Sequence, residues 1–232
     1  MNIKDVGSDA ADGAPTAMVG RDRDEKARVR MLLSRAAAHR SQADTASARK
    51  KLAEAFALAE RLRLARELAD CALECARILL AEARPEKMPE VDDCLIAAHR
   101  LVERAGYDRR RADLQLLTAD LKLREGYRDL AHAALAATIA IVRNGWWGHL
   151  PELTRMIDLG DFDDLRPALG ALQQRQLEYD RIADTALADP AFRAELSRTL
   201  EAITIQPALD DMPRHVQRHY AIELLDAKTP RN

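Results

Sequence analysis

The sequence predicts an all-α protein in which antiparallel helix hairpins stack as an α-solenoid, followed by a C-terminal helical pair. Three observations carry this. The 232 residues are rich in Ala, Leu, Arg and Glu, all strong helix formers, with only 9 Gly and 9 Pro. Val, Ile and Thr are too scattered to build a sheet. Finally, two stretches echo each other 34 residues apart: Gly126-Tyr127-Arg128-Asp129-Leu130-Ala131 followed by Leu135, and Gly160-Asp161-Phe162-Asp163-Asp164-Leu165 followed by Leu169. One period earlier, Ala97 and Leu101 fall on the same positions. A period of that length marks a two-helix unit that buries its apolar face only by stacking on its neighbours.

Residues 1–20 are small and polar, with Pro15 and three Gly, a composition that predicts a disordered N-terminal segment. A helical-repeat domain is expected over 21–185. Its first helix covers 22–40, with Val29, Leu32, Leu33, Ala36 and Ala37 at helical spacing. After a polar break, Ser47 can cap a second helix to about Arg63 whose apolar face is Leu52, Ala55, Phe56 and Ala59. The third runs from about Arg66 to Ala83, with Leu68, Cys71, Ala72, Cys75, Leu79 and Leu80 inward, and Pro85 ends it.

The fourth helix, 89–105, opens on Pro89 and ends at Gly106. The fifth spans about Arg110–Arg124 and stops at Gly126; the sixth spans about Asp129–Val142. A short seventh lies between Pro151 and Leu159. The eighth begins near Phe162 or Asp163 with Pro167 in its first turn and runs to about Asp184. Helices at 190–206 and 213–226 do not fit the 34-residue register and read as a C-terminal cap over 186–232.

The stretch from Ala105-Gly106-Tyr107 through Leu114–Leu123 to Arg124-Glu125-Gly126-Tyr127-Arg128-Asp129-Leu130-Ala131 resembles tetratricopeptide-type repeats. It is also similar to the helical-repeat region of large LuxR-family transcriptional activators. The resemblance covers about residues 89–175. It implies that Gly126 and Gly160 supply the turns, Tyr127 and Phe162 an aromatic wedge, and Ala131 the small packing residue. It further implies peptide or protein binding on the inner face of the stack. The DNA-reading domain of those activators has no counterpart in the chain.

Partner contact is expected from Arg110, Lys122, Arg124, Trp146 and Trp147. Adjacent Trp residues cannot both face one core from a helix; stapling adjacent hairpins is the first reading of the pair, and a binding role the second, since Trp is enriched at binding centres. Arg109-Arg110-Arg111 places positive charge at a helix start, against the dipole; solvated arginines account for it first, and an acidic peptide, a nucleic acid or the acidic C-terminal third of the chain are the partners it could serve. The charge is uneven: ten Lys/Arg against four Asp/Glu from Arg21 to Lys51, net +6, and thirteen Asp/Glu against six Arg from Asn144 to Asp211, net −7. Solvated helix faces account for this, while homodimerisation through basic N-terminal and acidic C-terminal parts is open to the same charges.

His215, His219 and Glu223 share one helix face at i, i+4 and i+8, a spacing that could hold a metal but lacks the Glu beside the first His found in zinc-protease helices. Cys71, Cys75 and Cys94 read as reduced core thiols. There is no phosphate-binding GxxxxGK[ST] or GxGxxG, so no cofactor is expected. A pI near 6.3 argues against nucleic acid. With no long apolar run and no signal core in Met1–Gly20, a cytoplasmic protein is expected. The function these features suggest is a protein-interaction adaptor, chaperone- or regulator-like. A ligand-sensing module of a transcription or signalling system is the alternative, and a metal-dependent enzyme on the histidine helix ranks below both.

Overall fold

The computed structural model describes residues 14–82, 84–107, 110–143, 147–203 and 208–228. All regular structure among them is helical: α1 Ala14–Ser41, α2 Thr45–Arg61, α3 Ala65–Glu82, α4 Met88–Arg104, α5 Arg111–Arg124, α6 Arg128–Val142, α7 Leu150–Leu159, α8 Arg166–Ala188, α9 Pro190–Ile203 and α10 Arg214–Lys228. α1 thus opens inside the stretch whose composition predicts disorder, and residues 1–13 lie outside the described residues. Among the described residues no helix is long and apolar enough to cross a membrane.

The chain divides into two compact units, Met1–Asp163 and Asp164–Asn232. In the first, α1 packs on α2, α3 on α4 and α5 on α6, while α1, α3, α5 and α7 also pack on one another in succession. α3 touches α1, α2, α4 and α5, which is why its sides are buried almost all round. Val29, Leu32, Leu52, Ala55, Ala59 and Ile78 fill the space between α1, α2 and α3. Leu73, Leu80, Val91, Leu95, Leu114 and Leu121 fill that between α3, α4 and α5. Small residues at Ala36, Ala48, Ala55, Ala59 and Ala98, each fully buried, let these helices approach closely.

One backbone turn recurs at the ends of α1, α2, α4, α5 and α7. A residue with positive φ (Ala43 at 59°, Arg63 at 54°, Gly106 at 57°, Gly126 at 81°, Asp161 at 53°) closes each helix. Its N–H donates three residues back, and the next N–H donates five residues back, as from Tyr107 to Val102 and from Phe162 to Ile157. This double bond set satisfies the last carbonyls of a helix and reverses the chain at once. Only two of the five carry glycine at that position.

The structure therefore corrects the expectation for Gly160. Its φ is an ordinary −88°, and Asp161 takes the left-handed conformation instead. Gly160 is required for another reason: a Cβ there would lie 2.1 Å from Cε2 of Phe162. Phe162 is buried, with the Arg128 guanidinium 4.9 Å from its ring centre and His132 edge-on at 5.4 Å. Tyr127, by contrast, is 58 % exposed and does not act as a wedge.

The second unit is α8, α9 and α10 around Ala183, Leu187, Leu196, Leu200, Leu209, Met212 and Ala221. Arg214 and Arg218 on α10 tie it to α8 through Asp184, with Arg218 also bonded to Asp180 at 3.1 Å.

Candidate functional site

A polar stripe on α3, Glu67, Asp70, Glu74 and Arg77, recurs at i, i+3, i+7 and i+10 and so lies along one face of the helix. It faces α1 on one side and the start of α5 on the other. From α1, Arg30 donates to Glu67 at 3.3 Å with Lys26 at 3.6 Å, and Arg40 donates to Glu74 at 2.7 Å. From the α5 start, Arg110 donates to Asp70 at 2.6 Å and to Asp113 at 2.9 Å. Arg77 bridges the two ends of this network, reaching Glu74 at 3.5 Å and Asp113 at 2.6 Å. His149, at the start of α7, adds Nε2 at 3.6 Å from Asp113.

Of these groups Lys26, Arg30, Glu67, Asp70, Glu74, Arg77 and Arg110 line an open groove of about 530 Å³ over α1, α3 and the turn into α5, joined there by Arg66 and Tyr107. The guanidiniums of Arg66 and Arg110 lie 5.4 and 5.8 Å from the Tyr107 ring centre, within cation–π range. Exposure separates the signs of charge. The Glu67 and Glu74 side chains are 4 % and 6 % exposed. Those of Lys26 and Arg30 are 41 % and 67 % exposed. The carboxylates form the floor and the cations the accessible rim, so an incoming ligand meets positive charge.

The two aspartates that share Arg110 diverge. Burial pushes Asp70 above the ordinary carboxylate range, and the charge and hydrogen bond of Arg110 do not offset it. Burial also presses on Asp113, but a hydrogen bond from His149 and the charges of Arg77 and Arg110 outweigh it and hold the carboxyl well below that range. The guanidinium of Arg110 is therefore locked in its charged form and fixed in orientation.

Of the residues singled out from the sequence, Arg110 lies in this groove. Its position at a helix start is compatible with the dipole because Asp113 and Asp70 neutralise it. Lys122 is not in the groove lining; it bonds Glu125 at 2.8 Å and Asp92 at 3.3 Å, beside the Tyr127 ring. Arg124 bonds Asp120 and donates to the Leu80 carbonyl at 2.7 Å, closing the end of α3. Trp147 is half-buried in the short turn before α7, and Trp146 lies outside the described residues. His219 and Glu223 pair at 3.2 Å on an exposed face, and among the described residues no three His, Cys, Asp or Glu side chains meet in a way that could hold a metal.

Lys26, Arg30, Arg66, Tyr107 and the α3 carboxylates were not singled out from the sequence. The signal for them is the charged stripe itself: four ionisable residues at helical spacing on a helix otherwise dense in Ala, Leu and Cys. Comparison with protein-family models, with characterised proteins and with solved structures returned no match.

Proposed function

We propose that the first unit is a tetratricopeptide-like solenoid acting as an interaction adaptor, holding an acidic peptide or protein segment in the groove over α1, α3 and α5. The observation that carries this reading is the separation of charge in that groove: buried carboxylates beneath, arginines and a lysine above, contributed by successive hairpins. Odd-numbered helices packed in sequence give a continuous face on which an extended chain can lie. Three helices at interaxial spacings of 8–10 Å span roughly 20 Å, which matches about six extended residues. Arg66 against Tyr107 would anchor a carboxylate, since a planar guanidinium can bind it in a bidentate fashion, while Arg110 is held by Asp70 and Asp113.

The test is affinity capture from native lysate with the wild-type chain and an Arg30→Glu/Arg66→Glu variant of unchanged helical content. The proposal expects a partner with an acidic segment that the variant loses. Equal recovery by both proteins would overturn it.

A further inference from the structure

The three cysteines have no part in the groove, and two of them face each other. α3 carries Cys71 and Cys75, and α4 carries Cys94. The Cys94 thiol donates toward Cys75 with the sulfurs 3.1 Å apart, and all three cysteines are free. A disulfide needs about 2.05 Å, so closure asks for a shift of roughly 1 Å between two side chains on packed helices. Both side chains are half-buried rather than sealed, which leaves a small oxidant a path to them. We propose that Cys75 and Cys94 are a paired oxidation site, converted by hydroperoxides to an intrachain disulfide that staples α3 to α4 while Cys71 stays reduced. This stands independently of the binding proposal.

The surroundings assign the roles. Arg49 from α2, Glu74 from α3 and Glu90 and Asp93 from α4 are the leading charged groups acting on the pair among the described residues, and Arg49 is itself bonded to Glu82. The hydrogen bond from Cys94, then Arg49, draws Cys75 below the ordinary thiol range against its burial, whereas Cys94 is pushed up by that same bond and by burial. The Arg49 charge favours a thiolate at Cys75 and the Asp93 charge opposes one at Cys94, so the attacking role is assigned to Cys75 within this proposal. Burial, with Asp70 and Glu67 adding to it, pushes the Cys71 thiol up to about 12, and that side chain is 1 % exposed.

The chemistry balances with the hydroperoxide as oxidant. The Cys75 thiolate, having released its proton to solvent, attacks one peroxide oxygen; the S–O bond forms, the O–O bond breaks and hydroxide leaves (alkoxide, for an organic hydroperoxide), taking up a proton. Cys94 then attacks the sulfenic sulfur, the S–S bond forms, and hydroxide departs with the Cys94 proton as water. With hydrogen peroxide, two thiols and one peroxide become one disulfide and two waters.

The full-length wild-type chain is treated with graded hydrogen peroxide, alkylated under denaturing, non-reducing conditions, and digested with trypsin and a glutamate-specific protease. Cleavage after Glu74 separates Cys71 from Cys75. The expected result is a monomer with one cross-link, Cys75 to Cys94, forming at least about tenfold faster than any modification of Cys71. In Cys94→Ser, Cys75 should instead accumulate as a sulfenic acid trapped by a 1,3-diketone. A cross-link through Cys71, a disulfide between chains, or survival of both thiols at peroxide levels that oxidise a control thiolate would each overturn the proposal; the wild-type digest decides even if the variant fails to fold.

Discussion

Each unit holds helices together with carboxylates answered by arginines, but the two arrangements differ in depth. In the first, Glu67, Glu74 and Asp113 lie beneath the surface and join α1, α3 and α5 into one network. In the second, Asp180 and Asp184 on α8 meet Arg218 and Arg214 on α10 with the Asp side chains 28 % and 37 % exposed. Buried carboxylates impose a register, because an unmatched one cannot retreat to water. Exposed pairs clip two helices at little gain, since water competes for every bond. The first network also leaves its cations outward, which turns a structural device into a charged surface. The second keeps both signs at the surface, where they cancel.

The largest effect expected from this contrast is on stability. Glu74→Ala removes the acceptor of Arg40 and the weaker of two acceptors of Arg77 and should cost about 1–3 kcal/mol, while Asp184→Ala should cost less than about 1 kcal/mol, both measured by denaturant unfolding. Equal losses would erase the distinction between the units. Gly160→Ala should follow at about 1–3 kcal/mol, because the Phe162 ring has to leave its site beneath Arg128.

Acid unfolding separates the units again. Asp113 is depressed in the folded state, so its contribution is present above the unfolded carboxylate value and is lost as pH falls through the folded one. Asp70 is raised and has the opposite sign: it favours the fold in acid and opposes it as pH rises through its unfolded value and up to its folded one. Asp113→Asn should therefore flatten the loss of stability below about pH 4 more than Asp184→Asn does, as read from melting temperature against pH. The smallest effect belongs to the turns. Arg63 holds a left-handed conformation that glycine adopts freely, so Arg63→Gly should stabilise by about 0.5–1 kcal/mol. A loss would show that the side chain contributes more than the backbone strain costs.

The helices were legible because each has a clear apolar spacing and most have a recognisable stop, such as Gly106 or Pro85. The turns were half legible. Gly126 announces a left-handed residue, but Ala43, Arg63 and Asp161 adopt the same conformation with no glycine to signal it, and Gly160 points one residue too early. The grouping of α8 with α9 and α10 rests on tertiary contacts that a 34-residue period does not report. At the groove, Arg110 stood out as a charge opposing a helix dipole. Glu67 and Glu74 did not, because a charged residue on a helix reads as solvent-facing until the cations of another helix are known to cover it. Pairings such as Arg40 with Glu74, 34 residues apart, exist only in the fold.

The groove over α1, α3 and α5 is proposed to present positive charge to an acidic segment. The most direct measurement is a fluorescence-anisotropy titration of a labelled Asp/Glu-rich hexapeptide against the wild-type chain, beside its Lys-rich and uncharged counterparts and a single-stranded oligonucleotide. Saturable binding of the acidic peptide alone, weakened by salt and lost in Arg30→Glu/Arg66→Glu, is expected. Preference for the Lys-rich peptide or the oligonucleotide, or acidic binding unchanged by the double substitution, would contradict it.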